Sequence, residues 1–552
     1  MTTEDVRGNR TAEAGAADAG TLAGVRFLRS FDGLVAGPEI LEAIAAGRAS
    51  GVTLFRARNV ATPEQVRELC ASLQAARPPA DPPLVIGCDQ EGGQLQLVGD
   101  GATAWPGNLA LGAAGSEALA RQCGRAIGRE VAAMGGTLVY APVCDVLHRE
   151  SATPLGTRPF GDDPGKVARL AAAMTEGIQE AGVAATLKHF PGHGAAAADS
   201  HRALPVISHS VEELRTQELP PFRAGIAAGA LAVLPGHLAV PALTGGTVLP
   251  ATVSPEILGN LLRDELGFEG VTISDALDMA GAGYGDGLGG TVGAATRAGM
   301  DLLLLNHAQA TEEAAFDTLR ALVADGKLDK QQLVGSRERI MRLRRHLAET
   351  EQQPIGIVGC AEHRDLAKAI AEASVTLIRD PHGSLPLTPT RRVALIAPKP
   401  VDLTPAETSS YLEIGLADML RDAGIAVDEF TLPIDPTPSE AAEIAIAVAR
   451  HSVVIVCTFD AVSFPGQAQL VERLASDSTG PIDRRVVAVA LRTPYDIELY
   501  PADVCAVATY GVQAPQIRAL ADALVGRIAF AGRLPVRLRA GATNDAGREI
   551  RS

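Results

Sequence analysis

The chain has 552 residues, 47% of them hydrophobic and 21% charged, with 65 acidic against 49 basic side chains and a formal net charge of −16. That length exceeds one hydrophobic core, so two or three domains are expected. The acidic balance and the absence of a long Lys/Arg run argue against a nucleic-acid surface, and no apolar run of about 18 residues offers a membrane span.

Residues 1–22 are small and polar, and a flexible tail is expected there. Residues 1–10 contain acids and no apolar core of a signal peptide, so a cytoplasmic location is expected. From residue 23 to about 346, short apolar runs alternate with helical patterns. Strands are expected at Val52–Phe55, Leu84–Cys88, Thr137–Pro142, Ala185–His189, Leu231–Leu234, Val271–Ser274 and Asp301–Leu305. A first strand, near 24–36, is poorly patterned. Helices are expected between them at Pro63–Ala75, Ser116–Met134, Pro164–Ala181, Val211–Ala228, Pro255–Leu266 and Thr311–Asp325. Repeated strand-then-helix units imply a parallel sheet, and eight of them close a (β/α)₈ TIM-like barrel.

A linker is expected over 347–360 and a second domain over 361–540, with a C-terminal tail at 541–552. Strands at Val393–Ala397, Val453–Cys457, Val486–Ala490 and Val504–Thr509, with helices between, read as an α/β sandwich. The fold class is thus α/β, a barrel followed by a sandwich. The 7 cysteines are scattered, odd in number and without a C-x-x-C, a pattern of buried reduced thiols.

Chemistry in such barrels sits at the C-terminal ends of the strands. Asp89, Asp145, Lys188, His189, His237 and Asp275 all fall there. Lys188-His-Phe-Pro-Gly-His-Gly-Ala-Ala-Ala-Ala-Asp199-Ser-His201 gathers titratable groups into a segment that Pro191 and Gly192 bar from regular helix. Asp275 reads either as a nucleophile at the barrel mouth or as a helix N-cap. Asp278, within the next turn, reads as a capping or solvated residue. In Asp199-Ser-His201 an acid two residues from an imidazole can fix its tautomer for general acid/base work, and a plain surface turn is the alternative. His189 and His193 have metal-like spacing, but an i, i+4 zinc pair needs a helix, so no metal site is expected. Asp89, in Asp89-Gln-Glu-Gly-Gly93, suits a pair of sugar hydroxyls or a strand-end cap. Arg158 is a polar anchor or a loop salt bridge.

Taken together, Asp89-Gln-Glu-Gly-Gly93, Ala141-Pro-Val-Cys-Asp145-Val, Arg158-Pro-Phe-Gly-Asp-Asp-Pro164, Lys188-His-Phe-Pro-Gly-His-Gly194, Asp199-Ser-His201 and Ser274-Asp275 resemble glycoside hydrolase family three, in its bacterial β-N-acetylglucosaminidase branch. The resemblance covers roughly residues 24–345 and, more weakly, the second domain. It implies Asp275 as nucleophile and His201, paired with Asp199, as general acid/base on a loop. It implies that Asp89, Arg158, Lys188 and His189 hold the terminal sugar's hydroxyls, with His237 a further barrel-mouth residue. The activity implied is a retaining, exo-acting hydrolysis of terminal β-linked N-acetylglucosamine, without cofactor, on a small carbohydrate such as a muropeptide fragment in cell-wall recycling. Because an imidazole base tolerates an anion that a carboxylate repels, inorganic phosphate is an alternative acceptor. A β-glucosidase and a non-catalytic sugar-binding protein are the other readings. Neither nucleic acid nor membrane is an expected partner.

The chain departs from the family's pattern at three places. Ala195-Ala196 stand where the family usually has Asp-Thr, Gln94 where it often has Arg, and Ala276 follows Asp275 where Asp or Asn is usual. The first change removes two hydrogen-bonding residues from the loop that carries His201.

Overall fold

Eight strands form a parallel sheet that curls round on itself: β1 (Phe27–Arg29), β2 (Gly51–Leu54), β3 (Val85–Cys88), β4 (Leu138–Val139), β5 (Ala184–Phe190), β6 (Ala232–Pro235), β7 (Val271–Thr272) and β8 (Leu303–Leu304). β8 pairs with β1, and a parallel bridge between Ile273 and Leu302 joins β7 to β8, which closes the barrel. This computed structural model describes residues 18–196, 200–306, 309–476 and 484–539. The poorly patterned first strand is β1, only three residues long but wholly buried. So short a strand leaves no room for a periodic signal. Residues 1–17 and 540–552 lie outside the described residues, while Ala19–Gly24, overlapping the end of the expected tail, is helical with Leu22 buried. Residues 355–357 of the expected linker form a single 3₁₀ turn.

Leu28, Val85, Tyr140, Ala184, Leu234, Ile273 and Leu304 fill the barrel interior. Each fully buried aliphatic side chain of this kind contributes about 1.5–3 kcal/mol. Gly87 is required by close approach, because a Cβ there would stand 2.6 Å from the Tyr140 hydroxyl. That hydroxyl shares a 2.7 Å hydrogen bond with Thr53.

The surrounding helices start where their sequences carry caps. Thr62 caps Pro63–Ala76, Ser116 caps Glu117–Ala133 and Asp163 caps Pro164–Glu180, each side chain accepting from a backbone N–H of the first turn. The helix expected at Val211–Ala228 contains a widened, π-type turn at Leu214–Glu218. Pro220 and Pro221 follow it and supply no backbone N–H, so the regular ladder cannot run through. Helices at Asn108–Ala114 and Gly287–Ala298, outside the sequence expectation, make no side-chain cap hydrogen bond; the second is Gly-rich, which lowers helix propensity.

The second sheet has six strands: β9 (Thr376–Arg379), β10 (Val393–Pro398), β11 (Val427–Leu432), β12 (Val453–Thr458), β13 (Arg485–Ala490) and β14 (Cys505–Ala508). Their order is β9-β14-β13-β12-β10-β11, parallel except for β9. The two unanticipated strands, β9 and β11, are the edges. Successive residues alternate between faces, as the strand period requires. Ile396, Val454, Val456, Ala488 and Ala506 pack toward Leu109, Ala110, Leu147 and Leu155 of the barrel half. Leu395, Ile455, Val487 and Val507 pack on the opposite face, with Leu416, Leu420 and Leu524.

Three polar ties add to this apolar contact. Arg492 donates to the carbonyls of Ala152 and Thr153 at 3.3 and 2.9 Å. Gln513 Nε2 donates to Gly93 O at 2.6 Å. Thr408 donates through both its N–H and its hydroxyl to Gln94 O, at 2.7 and 2.9 Å.

Candidate active site

A cavity of about 420 Å³ opens at the C-terminal ends of the barrel strands. Asp89, Arg158, Lys188, His189, His201 and Asp275 line it, brought together from four barrel strands and the loops that follow them. That volume suits a small organic ligand. The residues Thr404–Thr408 and Tyr411 of the second half form part of its wall.

One side of the cavity is a charged network. Lys188 Nζ lies 2.6 Å from Asp89 and 2.5 Å from Glu91. Arg158 grips Glu91 with two hydrogen bonds, 3.0 and 2.9 Å long, and also donates to His189 Nε2 at 3.2 Å. His189 and Lys188 are neighbours on β5, where alternation should send them to opposite faces. Both line the cavity because the pairing of β5 with β6 shifts register between Lys188 and Phe190.

Burial by itself raises the Glu91 carboxyl, but the Arg158 and Lys188 cations outweigh it and bring it down to about 2. Arg158 and Lys188 respond in the opposite sense: burial disfavours their charge, and the carboxylates around them raise both above the ordinary value.

Asp145 lies beneath this network, fully buried. It accepts from His189 Nδ1 at 2.7 Å and from the backbone N–H groups of His189 and His193 at 3.1 and 2.8 Å. Burial pushes it up, and the two histidines hold it down at about 2. His189 therefore carries its proton on Nδ1 and presents Nε2 as the acceptor for Arg158. Both ring nitrogens being engaged, His189 offers no site for a metal shared with His193.

Asp275 lines the same cavity. Ser274 Oγ accepts from Leu304 N at 3.0 Å and Leu277 N donates to Leu304 O at 3.0 Å, which fixes the turn to β8. Asp275 is half-buried and takes its own Ala276 N–H at 2.8 Å. Burial raises its carboxyl, yet His237, His189 and His201 together lower it below the ordinary aspartate value, so it is ionised at neutral pH.

His237 is placed differently from the expectation. It is fully buried behind the turn and is not among the lining residues. Its Nε2 donates to Ala276 O at 3.0 Å and Nδ1 faces the Thr252 hydroxyl at 3.0 Å. Burial lowers its basicity, and it acts on the geometry of Asp275. Asp278 is a brace, since its carboxylate accepts from Asn306 N at 3.0 Å.

His201 lines the cavity beside buried Ser200. Asp199 lies outside the described residues. Of the departures from the family's pattern, Ala196 is buried and donates its N–H to His193 O at 3.0 Å, so apolar packing takes the place of side-chain hydrogen bonds. Gln94 Oε1 accepts from the N–H and hydroxyl of Thr157, 2.7 and 3.1 Å away, which orders the loop before Arg158.

Glu91 carried no role in the sequence, and nor did Arg56 and the 402–411 segment. Arg56 lies over the ring of Tyr411, its guanidinium 4.3 Å from the ring centre. Asp402 accepts from Ser410 N at 2.8 Å and closes the segment into a loop. Glu407, buried, holds it from within by accepting from Arg492, Ser409 and Leu403.

The family described as glycosyl hydrolase family 3, N-terminal domain, matches residues 31–343. A β-hexosaminidase of Pseudomonas aeruginosa is 42% identical over 273 residues, 49% of this chain and 79% of that one. A β-N-acetylglucosaminidase/β-glucosidase of Cellulomonas fimi is 30% identical over 530 residues, 90% of each chain. The structure of a glycoside hydrolase family 3 β-N-acetylglucosaminidase from Paenibacillus sp. str. FPU-7 superposes with a TM-score of 0.87 at 35% identity, covering 94% of this chain and 99% of that one. The family match runs from the loop after β1 to the last barrel helix, and the alignment with the Cellulomonas protein continues through the second sheet, so the chain belongs to glycosyl hydrolase family 3 and is a glycoside hydrolase.

Proposed function

We propose that the protein is a retaining exo-β-N-acetylglucosaminidase in which Asp275 is the nucleophile and His201, oriented by Asp199, the general acid/base. The observation that carries this reading is that Asp275 and His201 line one cavity with the Asp89, Lys188, Arg158 and His189 network. The choice of sugar rests on the likeness to relatives named for N-acetylglucosamine or hexosamine.

In the first step the Asp275 carboxylate attacks the anomeric carbon. Its C–O bond forms as the glycosidic C–O bond breaks, and protonated His201 gives its proton to the departing oxygen. In the second step neutral His201 takes a proton from water, whose oxygen attacks the same carbon and releases Asp275. Lys188 and Arg158 are donors to the sugar's hydroxyls and Asp89 an acceptor. Glu91 and Asp145 are positioning residues, holding the cations and the His189 tautomer. The 402–411 loop closes the cavity around the sugar and favours attack at a chain end.

Phosphate as acceptor is the second reading. The base is an imidazole, and Arg56 adds a cation to the cavity wall. The 7 cysteines form no disulfide among the described residues, which suits a reducing compartment, and a cytoplasmic role on muropeptide fragments fits that chemistry. No helix among the described residues is long and apolar enough to cross a membrane.

The test is nitrophenol release from p-nitrophenyl N-acetyl-β-D-glucosaminide and the matching glucoside, with and without phosphate. Turnover in water that is abolished in Asp275→Asn supports the hydrolase. Turnover that requires phosphate moves the reaction to phosphorolysis, and an inert enzyme on both substrates overturns the proposal.

A further inference from the structure

Outside the catalytic cavity, His148, His209 and Glu218 place one potential ligand atom each within 4.8 Å of one another. They come from three separate segments: the loop after β4, the stretch eight residues beyond His201, and the widened turn at Leu214–Glu218. Glu218 is fully buried. Its Oε1 lies 2.8 Å from His148 Nε2, while among the described residues Oε2 has no hydrogen-bond partner. The buried Nδ1 of His209 is likewise unpartnered and points across 3.7 Å at Oε1, too far for a hydrogen bond. A buried carboxylate that is half-satisfied, facing an unpartnered imidazole nitrogen, is costly unless something neutralises it.

We infer that His148, His209 and Glu218 bind a divalent transition-metal ion with the preferences of zinc. Two imidazoles and one carboxylate form a recognised zinc donor set, and tetrahedral zinc sets its ligand atoms about 3.4 Å apart, within reach of small side-chain movements here. The ion neutralises Glu218, satisfies His209 Nδ1 and leaves one position for water. The site runs counter to the absence of metal expected from the sequence, where the three residues lie 61 and 9 positions apart and match no ligand motif.

Its location gives it a structural consequence. Gly192 passes directly over Glu218: a Cβ on Gly192 would stand 2.5 Å from Oε2 and 2.7 Å from the Glu218 Cβ. The ion therefore clips the loop after β4 and the chain beyond His201 to the helix beneath the Pro191–Gly194 turn. Its role is to steady the base of the loop that bears His201, and it stands or falls independently of the sugar the enzyme takes.

The test is titration of the chelator-treated full chain with Zn²⁺ by calorimetry, with Co²⁺ as a spectroscopic probe of tetrahedral geometry. One equivalent is expected to bind and to raise the thermal midpoint. His209→Gln and His148→Gln, both partly exposed and expected to fold, should each weaken binding about a hundredfold, whereas His201→Ala should retain it. Glu218→Gln, checked for folding by circular dichroism, should behave like the histidine variants. No saturable binding, or binding lost in His201→Ala and kept in His209→Gln, overturns the inference.

Discussion

Arg158 and Glu91 form a two-bonded ion pair, 3.0 and 2.9 Å, with both side chains buried at the inner side of the cavity. Lys188 shares the same carboxylate, so one negative charge holds two cations in place. Removing a single partner from such a buried cluster leaves charge uncompensated, at about 3–5 kcal/mol. Glu91→Gln, which keeps the size, should therefore lower the free energy of unfolding in urea by that amount and raise KM by misplacing Lys188 and Arg158. A loss below about 1 kcal/mol would mean the pair is screened in solution.

Stability should depend on acid in a defined window. The Glu91 and Asp145 carboxyls are depressed from 4.5 and 3.8 to about 2 in the folded protein. Depressed carboxyls stabilise the fold fully above their unfolded values and lose that contribution as pH falls toward the folded ones. The urea midpoint should thus decline between pH 4.5 and about 2, and Glu91→Gln should show a shallower decline. A midpoint flat across that window in the unmutated protein contradicts this account.

His201→Ala should lower turnover about 10²–10⁴-fold on substrates whose leaving group needs a proton. A nitrophenol leaves without help, so its departure should be spared and the second step become limiting. A burst of nitrophenol in stopped flow, with rate restored by azide, is the expected signature. Equal loss on both substrate types, without rescue, would make His201 a binding residue.

The Arg56 guanidinium stacked 4.3 Å from the Tyr411 ring joins the barrel mouth to the second half. An exposed contact of this type is worth about 0.5–1 kcal/mol. Tyr411→Ala should raise KM about two- to five-fold and leave kcat unchanged in steady-state kinetics. A changed kcat would show that the 402–411 loop reaches the reacting atoms.

The barrel is readable from sequence because its longer strands are unbroken apolar runs ending in polar residues, as at Leu84–Cys88 followed by Asp89. β1 and the edge strands β9 and β11 are not, being short or only partly buried, as with the half-exposed pattern of β11. The lining residues Lys188, His189 and Asp275 are recognisable by motif. Glu91 is not, because its role depends on cations 67 and 97 positions away. The place of His237 after β6 points to the cavity, but the Thr252 hydroxyl and the Ala276 carbonyl that hold it away come from other segments. The wall from 402–411 is invisible for the same reason, since it requires two sheets to be docked first.

The central claim is that Asp275 attacks the sugar. Reaction with a slow 5-fluoro-N-acetylglucosaminyl fluoride, quenching and peptide mass spectrometry tests it most directly. The account predicts one glycosyl adduct on the peptide carrying Asp275, absent in Asp275→Asn. An adduct on another residue, or rapid turnover with inversion at the anomeric carbon and no adduct, would contradict it.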